Sequence, residues 1–189
     1  GISFRTEGDS PRPAPDLAYD DGIIDTSVSP WSSNPGCEIA AKFTPPSYPY
    51  QIKNLGFFVG PLQDATKRFK VRIYDDDNYD NEGHKLPGKM YTVDAYGAAQ
   101  AGNSWVWIDV SGRNITVNEG DFFVSMYWTQ APGPQGCHAQ FLVLDTTAPI
   151  QPGYWKMGEN QNWFRYDDQS GGGYGNPMIR VNGSGDTAA

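Results

Sequence analysis

Apolar and polar residues alternate with a period of two along much of this chain. In the run FFVSMYW at 122–128, Phe122, Val124, Met126 and Trp128 stand at every second position. Because neighbouring side chains of a β-strand leave the backbone on opposite faces, this alternation predicts a strand with one face in a core. Comparable runs occupy residues 37–44, 55–59, 69–74, 105–110, 139–144 and 178–181.

Turn-forming residues separate these runs. Pro87-Gly88, Glu119-Gly120 and Pro152-Gly153 each stand between two of them, and no long stretch carries a helical period with caps. Short strands with frequent turns are typical of two antiparallel sheets packed together. The sequence therefore predicts an all-β, antiparallel β-sandwich that is jelly-roll-like and has about eight strands.

We expect a single β-sandwich domain over residues 17–182, between two segments with little apolar content. Residues 1–16 contain three prolines and are interpreted as a linker or an extended arm. Residues 183–189, GSGDTAA, are interpreted as a C-terminal linker. A folded unit between two linkers is typical of one module in a longer protein.

The two cysteines, Cys37 and Cys137, each stand at the start of an apolar run. A disulfide between them would close a loop of 100 residues and would stabilise the fold by about 4–5 kcal/mol in the chain-entropy model. The alternative is a pair of buried free thiols. A disulfide would indicate an oxidising compartment, and hence a secreted or cell-surface protein.

The chain is acidic, with a formal net charge of −8. A nucleic-acid-binding protein needs clustered lysine and arginine to neutralise phosphate groups, and the sequence has no such run. An anionic membrane surface is disfavoured for the same reason, and no apolar stretch is long enough to span a bilayer. We therefore expect neither a nucleic-acid partner nor membrane insertion.

Several short motifs follow one another in an order shared with a known group of domains. They are AYDDG at 18–22, AAKFTPPSYPYQIKNLGFFV at 40–59, FKVRIYDDDN at 69–78, LPGK at 86–89, WVWIDV at 105–110, VNEGDFFVSMYW at 117–128 and GNPMIRV at 175–181. In this order they resemble β-sandwich accessory domains of large bacterial secreted proteins, which often adjoin extracellular peptidases. The resemblance covers roughly residues 17–182 and implies a jelly-roll-like, non-catalytic module. The long acidic loop at 75–85 and the two cysteines depart from the usual pattern of that group.

The loop at 75–83 carries five carboxylates and has no lysine or arginine before Lys85. Like charges at this spacing repel one another unless a cation neutralises them. Calcium accepts oxygen ligands in flexible geometry, which makes Asp75, Asp77 and Asp80 candidate ligands for a structural calcium ion. The spacing is not that of an EF-hand. The alternative is a solvated hairpin tip whose charges keep a sheet edge soluble.

A second acidic pair, Asp20 and Asp21, precedes Gly22 near the predicted first strand. Sandwich modules often hold a structural ion where the first strand meets the last, so either aspartate is a candidate calcium ligand. The alternative is a turn formed by aspartate next to glycine, which needs no metal.

The alternation places Trp105 and Trp107 on the face of their strand opposite Val106 and Ile108. Tyr127 lies opposite the apolar face of its strand in the same way. Large exposed aromatic surfaces mark contact sites, and flat rings suit the faces of sugars. These three residues are therefore candidate ligand-binding residues.

Trp155 and Trp163 lie in a glycine-rich, turn-rich region and are candidates for a second aromatic platform. The alternative for all of these aromatic residues is packing. The residues 1–16, the segment 146–176 or a neighbouring domain would then cover them.

No catalytic motif is recognisable. The two histidines are His84 and His138, and Cys137-His138 cannot form a dyad because neighbours in a strand point to opposite faces. The sequence contains no HExxH, no GxSxG, no Walker loop and no dinucleotide fingerprint. Two suitably spaced carboxylates would suffice for a glycosidase, which keeps a small glycosidase as a minor alternative. We predict that the chain is not an enzyme.

The sequence thus predicts a non-catalytic extracellular accessory or binding module, stabilised by calcium, within a larger secreted protein. One alternative is a carbohydrate-binding module that uses surface tryptophans. Another is a protein-interaction or adhesive domain. The expected partners are a polysaccharide or protein ligand and neighbouring domains of the same chain.

Overall fold

The computed structural model describes residues 17–30, 32, 34–62, 69–97, 103–129, 137, 140–149, 151–166 and 175–185, with the backbone alone at 61–62 and 92–97. This part of the chain contains fifteen β-strands and one 3₁₀ helix, Ser111–Arg113. The strands are β1 (Thr26–Val28), β2 (Cys37–Phe43), β3 (Tyr50–Leu62), β4 (Phe69–Asp75), β5 (Asn78–Tyr79), β6 (Lys85–Leu86), β7 (Met90–Gly97), β8 (Ser104–Asp109), β9 (Thr116–Val117), β10 (Phe122–Trp128), β11 (Gln140–Asp145), β12 (Gly153–Met157), β13 (Phe164–Tyr166), β14 (Asn176–Pro177) and β15 (Ile179–Gly185). The predicted all-β class is confirmed.

The expected number of about eight strands is too low. Four of the strands, β5, β6, β9 and β14, have two residues each. Two residues are too few to display a period of two, so alternation in the sequence cannot reveal such strands.

The strands form two large sheets and one hairpin. The first sheet has the order β1–β11–β3–β15, with β14 paired to β11 and with β8 and β9 paired to β3. The second sheet has the order β13–β12–β2–β10–β4–β7, and β5 pairs with β6 in a hairpin. Every strand pair of the described chain is antiparallel.

The two large sheets pack face to face through one apolar core. Phe57 of the first sheet lies 5.7 Å from Phe69 of the second, measured between ring centroids, and Tyr50 lies 6.1 Å from Phe122 in the same way. These contacts bridge the sheets, as expected for a β-sandwich. The predicted antiparallel sandwich is therefore confirmed.

Strand β8 shows the alternation on which the prediction depended. Val106 and Ile108 are buried in the core between the sheets. Trp105 and Trp107 lie on the opposite face of the first sheet and are half-buried. A period of two in the sequence thus gives the correct facing of these four side chains.

The outer face of the second sheet is partly buried as well. Ala40, Phe123 and Tyr154 form a second apolar cluster with Tyr74 of β4 and Leu86 of β6. Because Leu86 belongs to the β5–β6 hairpin, that hairpin lies against the outer face of the second sheet. The hairpin therefore projects above part of the outer face of the second sheet, which solvent would otherwise contact.

The chain continues as strand beyond the predicted domain boundary. β15 extends to Gly185, so the predicted linker at 183–189 is wrong for its first three residues. Gly183 supplies the physical reason, because a Cβ atom there would lie 2.4 Å from the carbonyl oxygen of Gln51 and 2.5 Å from the ring of Tyr50. The glycine that resembles a linker residue is required by close packing between strands. The predicted arm at 1–16 and the residues 186–189 lie outside the described residues.

Cys37 and Cys137 form the predicted disulfide, and both residues are fully buried. A disulfide is compatible with an extracellular protein. Within the described residues, no helix has the length and apolar character needed to cross a membrane.

Candidate functional site

A cleft of about 360 Å³ lies between the β5–β6 hairpin and the turn that joins β12 to β13. This volume falls within the range of about 300–1,000 Å³ that is typical of small-ligand sites. Its lining residues are Asn78, Tyr79, Asp80, Asn81, Leu86, Lys156, Gln161, Asn162 and Trp163. Most of these side chains are polar, and two of them are aromatic.

Trp163 is a half-buried aromatic residue in the wall of the cleft. The edge-to-face contact between Trp163 and Tyr74 has a centroid distance of 5.5 Å and an interplanar angle of 76°. The ammonium nitrogen of Lys156 lies 5.7 Å from the centre of the same ring. These contacts hold the indole in a fixed orientation. Tyr79, which is 58% exposed, is the other aromatic residue of the lining.

Three amide side chains of the lining are available for a ligand. Asn81, Gln161 and Asn162 are exposed, and their amide groups make no hydrogen bond to any described residue. Asn78, by contrast, donates from its amide to the carbonyl oxygen of Pro87 at 3.2 Å. Each free amide offers both a donor and an acceptor, which are the groups that recognise hydroxyls.

A buried carboxylate lies beneath the cleft. Glu38 of β2 has no exposed surface although it stands on the outer face of the second sheet. Its carboxylate accepts hydrogen bonds from Ser125 Oγ at 2.7 Å and from the hydroxyl of Tyr74 at 2.9 Å. Lys156 Nζ lies 3.2 Å from Glu38 Oε2, and Arg72 Nη1 lies 3.5 Å from the same oxygen.

The position of Glu38 changes its titration. Burial raises the pKa of the Glu38 carboxyl, and Lys156, Ser125, Arg72 and Tyr74 act against that rise. Lys156 pairs directly with Glu38 across β12 and β2. Lys156 also lines the cleft, so the cationic residue of the lining is paired with the buried carboxylate.

Tyr127, a predicted ligand-binding residue, lies on the same outer face but is covered by a guanidinium. Arg72 Cζ lies 3.8 Å from the centre of the Tyr127 ring, and Arg72 also contacts Glu159 at 3.3 Å. Burial, followed by a hydrogen bond to Glu159, raises the pKa of Tyr127 to about 12. The ring of Tyr127 therefore supports the ionic network and does not line the cleft.

Trp105 and Trp107 lie on the other sheet, away from the cleft. The two rings stack at a centroid distance of 5.7 Å, and the guanidinium of Arg180 lies 4.3 Å above Trp105. Trp107 covers Gly56, where a Cβ atom would lie 2.8 Å from the indole. Trp105 and Trp107, both predicted ligand-binding residues, form a half-buried stacked pair whose ring faces are largely in contact with protein.

Trp155 is part of the main core, with only 9% of its surface exposed. Its ring packs against Tyr166 at a centroid distance of 5.3 Å. The predicted second aromatic platform is therefore wrong for Trp155, because of the two tryptophans only Trp163 lines the cleft. Trp155 belongs to strand β12, where alternation directs its side chain inward and that of Lys156 outward.

The predicted ligands in the acidic loop do not converge. Asp75 accepts a hydrogen bond from the backbone N–H of Asp76, and Asp77 accepts one from the N–H of Lys89. Asp80 accepts a hydrogen bond from the backbone N–H of His84 at 2.8 Å, and its Oδ2 lies 2.9 Å from His84 Nδ1.

No group of three or more metal-ligating side chains that could hold an ion occurs in the described part of the chain. Asp76, which the sequence did not single out, is held by Lys85 and by the N–H of Asp121. Backbone amides and one lysine thus offset the repulsion that suggested a cation. Calcium at this loop stays a prediction without support from this arrangement.

Asp20 and Asp21 also have protein partners. Asp20 forms a two-point ion pair with Arg180, whose Nε lies 3.1 Å from Asp20 Oδ2. Asp21 accepts hydrogen bonds from the N–H of Ile23 and from the hydroxyl of Thr147. These contacts attach the 17–25 segment to the first sheet, and calcium at this pair stays a prediction.

Asp145 of β11 gives the fold a pH-dependent contribution. Although burial opposes the shift, the N–H groups of Ala148, Asp21 and Thr147 lower the pKa of Asp145 to about 2, from an ordinary value of 3.8. A lowered native pKa means that the stabilisation is complete above about pH 4 and is lost as the pH falls toward 2. We expect Asp145→Asn to lower the free energy of unfolding by about 2 kcal/mol at pH 7 and by far less at pH 2. Urea unfolding of both proteins at the two pH values measures this, and an equal loss at both would contradict it.

Two other depressions in the described structure are less suited to a ligand. One has a volume of about 50 Å³ and is lined in part by Tyr19, Gln151 and Tyr154. The other measures about 340 Å³ and is lined by Pro49, Gln51, Asn114, Thr116, Ser184 and Gly185, with no aromatic ring. The cleft beside Trp163 combines sufficient volume with aromatic and amide groups.

Sequence reasoning named Trp163 as a ligand-binding candidate and Asp80 only as a calcium candidate, and it missed the rest of the cleft. Gln161 and Asn162 directly precede Trp163, and amides beside a tryptophan in a turn are a usable signal. Glu38 was also missed, although a lone carboxylate within the apolar run CEIAAKF indicates a buried polar contact. Comparisons with protein-family models, with curated proteins and with solved structures found no match to this chain.

Proposed function

We propose that this chain is a non-catalytic carbohydrate-binding module that holds a glycan in the cleft beside Trp163. The observation that carries the proposal is the combination of a fixed indole with the free amides of Asn81, Gln161 and Asn162 around one cleft. Ligand sites typically join aromatic surface to a few well-placed polar groups. An aromatic ring packs against the C–H groups of a pyranose, and amides hydrogen-bond to its hydroxyls.

The proposal that the module is non-catalytic follows from the carboxylates near the cleft. Glycosidases use two carboxyl groups on opposite sides of the scissile bond. Among the lining residues that the structure describes, Asp80 alone has a carboxylate, and it is bound to His84. Glu38 lies beneath Lys156 and has no exposed surface. This arrangement favours binding over hydrolysis.

The proposed setting is a larger secreted protein, in which this domain would attach the chain to a polysaccharide. The disulfide between Cys37 and Cys137 supports an oxidising compartment. The resemblance to accessory domains of bacterial secreted proteins supports the same setting. The proposal does not depend on a bound calcium ion.

We expect Trp163→Ala to weaken glycan binding by at least about tenfold, since it removes the main apolar contact of the cleft. A glycan array would first identify an oligosaccharide that the native chain binds. Isothermal titration calorimetry with that oligosaccharide would then compare the native chain with the variant.

The matched control is Trp105→Ala, which removes an indole of similar burial from the other sheet. The control should retain native affinity. Loss of affinity in the Trp105 variant together with full affinity in the Trp163 variant would place the binding site at the stacked Trp105 and Trp107. Absence of binding to any glycan would reject the proposal and leave the protein-interaction prediction as the alternative.

A further inference from the structure

The single cationic side chain in the described lining of the cleft is already neutralised. Lys156 lies 3.2 Å from Glu38, and only 8% of its surface is exposed. Its ammonium group is therefore directed to a buried carboxylate beneath the cleft. Lys156 could bind an anionic ligand only by breaking this pair. The charge of Glu38 would then stay buried with fewer partners, which costs free energy.

The rim of the cleft on the hairpin side is negatively charged. Asp80 lines the cleft, and the side chain of Glu82, two residues further on, is 81% exposed. His84 contacts both carboxylates, at 2.9 Å and 3.7 Å. The lining residue Asp80 and the exposed Glu82 near it in the hairpin thus make this side of the cleft acidic, while the paired lysine offers no free charge.

We propose that the cleft selects uncharged hexopyranose units and excludes anionic sugars such as uronates and sulfated sugars. This inference rests on the proposed function, because it names the class of glycan for the same site. Neutral sugars need only the indole face and the three free amides. An anionic sugar would meet like charges at the rim. Contacts between like charges weaken binding and so exclude ligands of the wrong charge.

The test compares neutral polysaccharides (a glucan, a mannan and a galactan) with polygalacturonate and chondroitin sulfate. Affinity electrophoresis of the native chain would measure binding at low and at physiological salt. We expect at least one neutral polymer to bind at least about tenfold more tightly than either anionic polymer, with affinity that changes little with salt. Tighter binding of an anionic polymer through Trp163 would overturn the inference and leave the proposed function intact. Failure of every polymer to bind would instead count against the proposed function.

A variant that adds a positive charge to the cleft tests the same charge argument. Asn162→Lys places an unpaired cation in the lining of the cleft, at a position whose side chain is exposed. We expect it to raise the affinity for polygalacturonate by about tenfold at low salt. The matched control, Asn160→Lys, adds the same charge at an exposed position outside the lining and should give a smaller gain. Equal gains in the two variants, or no gain in Asn162→Lys, would contradict charge selection by the cleft.

Discussion

Replacement of Glu38 by alanine lowers the free energy of unfolding by about 3–5 kcal/mol, because it removes the carboxylate that pairs with the buried Lys156 and one of the two that contact Arg72. Lys156 and Arg72 are 8% and 6% exposed, and each lies within 3.5 Å of the Glu38 carboxylate. The change also removes the acceptor of the Tyr74 and Ser125 hydroxyls. Urea unfolding at pH 7, followed by circular dichroism, measures the effect.

The control for this prediction is Glu159→Ala. Glu159 also contacts Arg72, at 3.3 Å, but its side chain is 47% exposed. An exposed ion pair of this kind contributes less than about 1 kcal/mol. A loss below about 1 kcal/mol for Glu38→Ala, similar to that of the control, would show that Glu38 does not organise the outer face.

Removal of the disulfide lowers the free energy of unfolding by about 4–5 kcal/mol in the chain-entropy model. The bond joins Cys37 to Cys137 across a sequence separation of 100 residues. Its loss frees a long loop in the unfolded state, so the unfolded chain gains entropy that the native fold must offset. Urea unfolding of Cys37→Ala/Cys137→Ala measures the change against the oxidised native chain.

Reductant provides the internal control. It should destabilise the native chain by a similar amount and should leave the double variant unchanged. Thiol titration would verify that the bond has been reduced. A reduced native chain with the same urea midpoint as the oxidised chain would contradict a stabilising role for this bond.

Alternation in the sequence was sufficient to predict the sandwich and the facing of β8. Val106 and Ile108 reach the core, and Trp105 and Trp107 reach the opposite face, because local backbone geometry fixes the facing of neighbours. The same rule does not determine what covers an outward face. Glu38 is outward-facing by alternation and yet fully buried, and its carboxylate contacts Tyr74 and Lys156, which are distant from it in sequence.

The cleft was less predictable because loops build it. Trp155 and Trp163 occupy the same turn-rich segment, but only the strand register of β12 assigns Trp155 to the core. Repulsion in the acidic loop suggested a cation, whereas Asp76 and Asp77 are bound by Lys85 and by the N–H of Lys89. Such contacts depend on turn conformations that composition does not encode.

The role of Trp163 in glycan binding is tested most directly by NMR titration with a neutral oligosaccharide. The indole N–H resonance of Trp163 should shift on addition of the sugar, together with the side-chain amide resonances of Asn162 and Gln161. The indole resonances of Trp105 and Trp107 should stay in place. Shifts confined to Trp105 and Trp107, with none at Trp163, would contradict a binding site on the outer face of the second sheet.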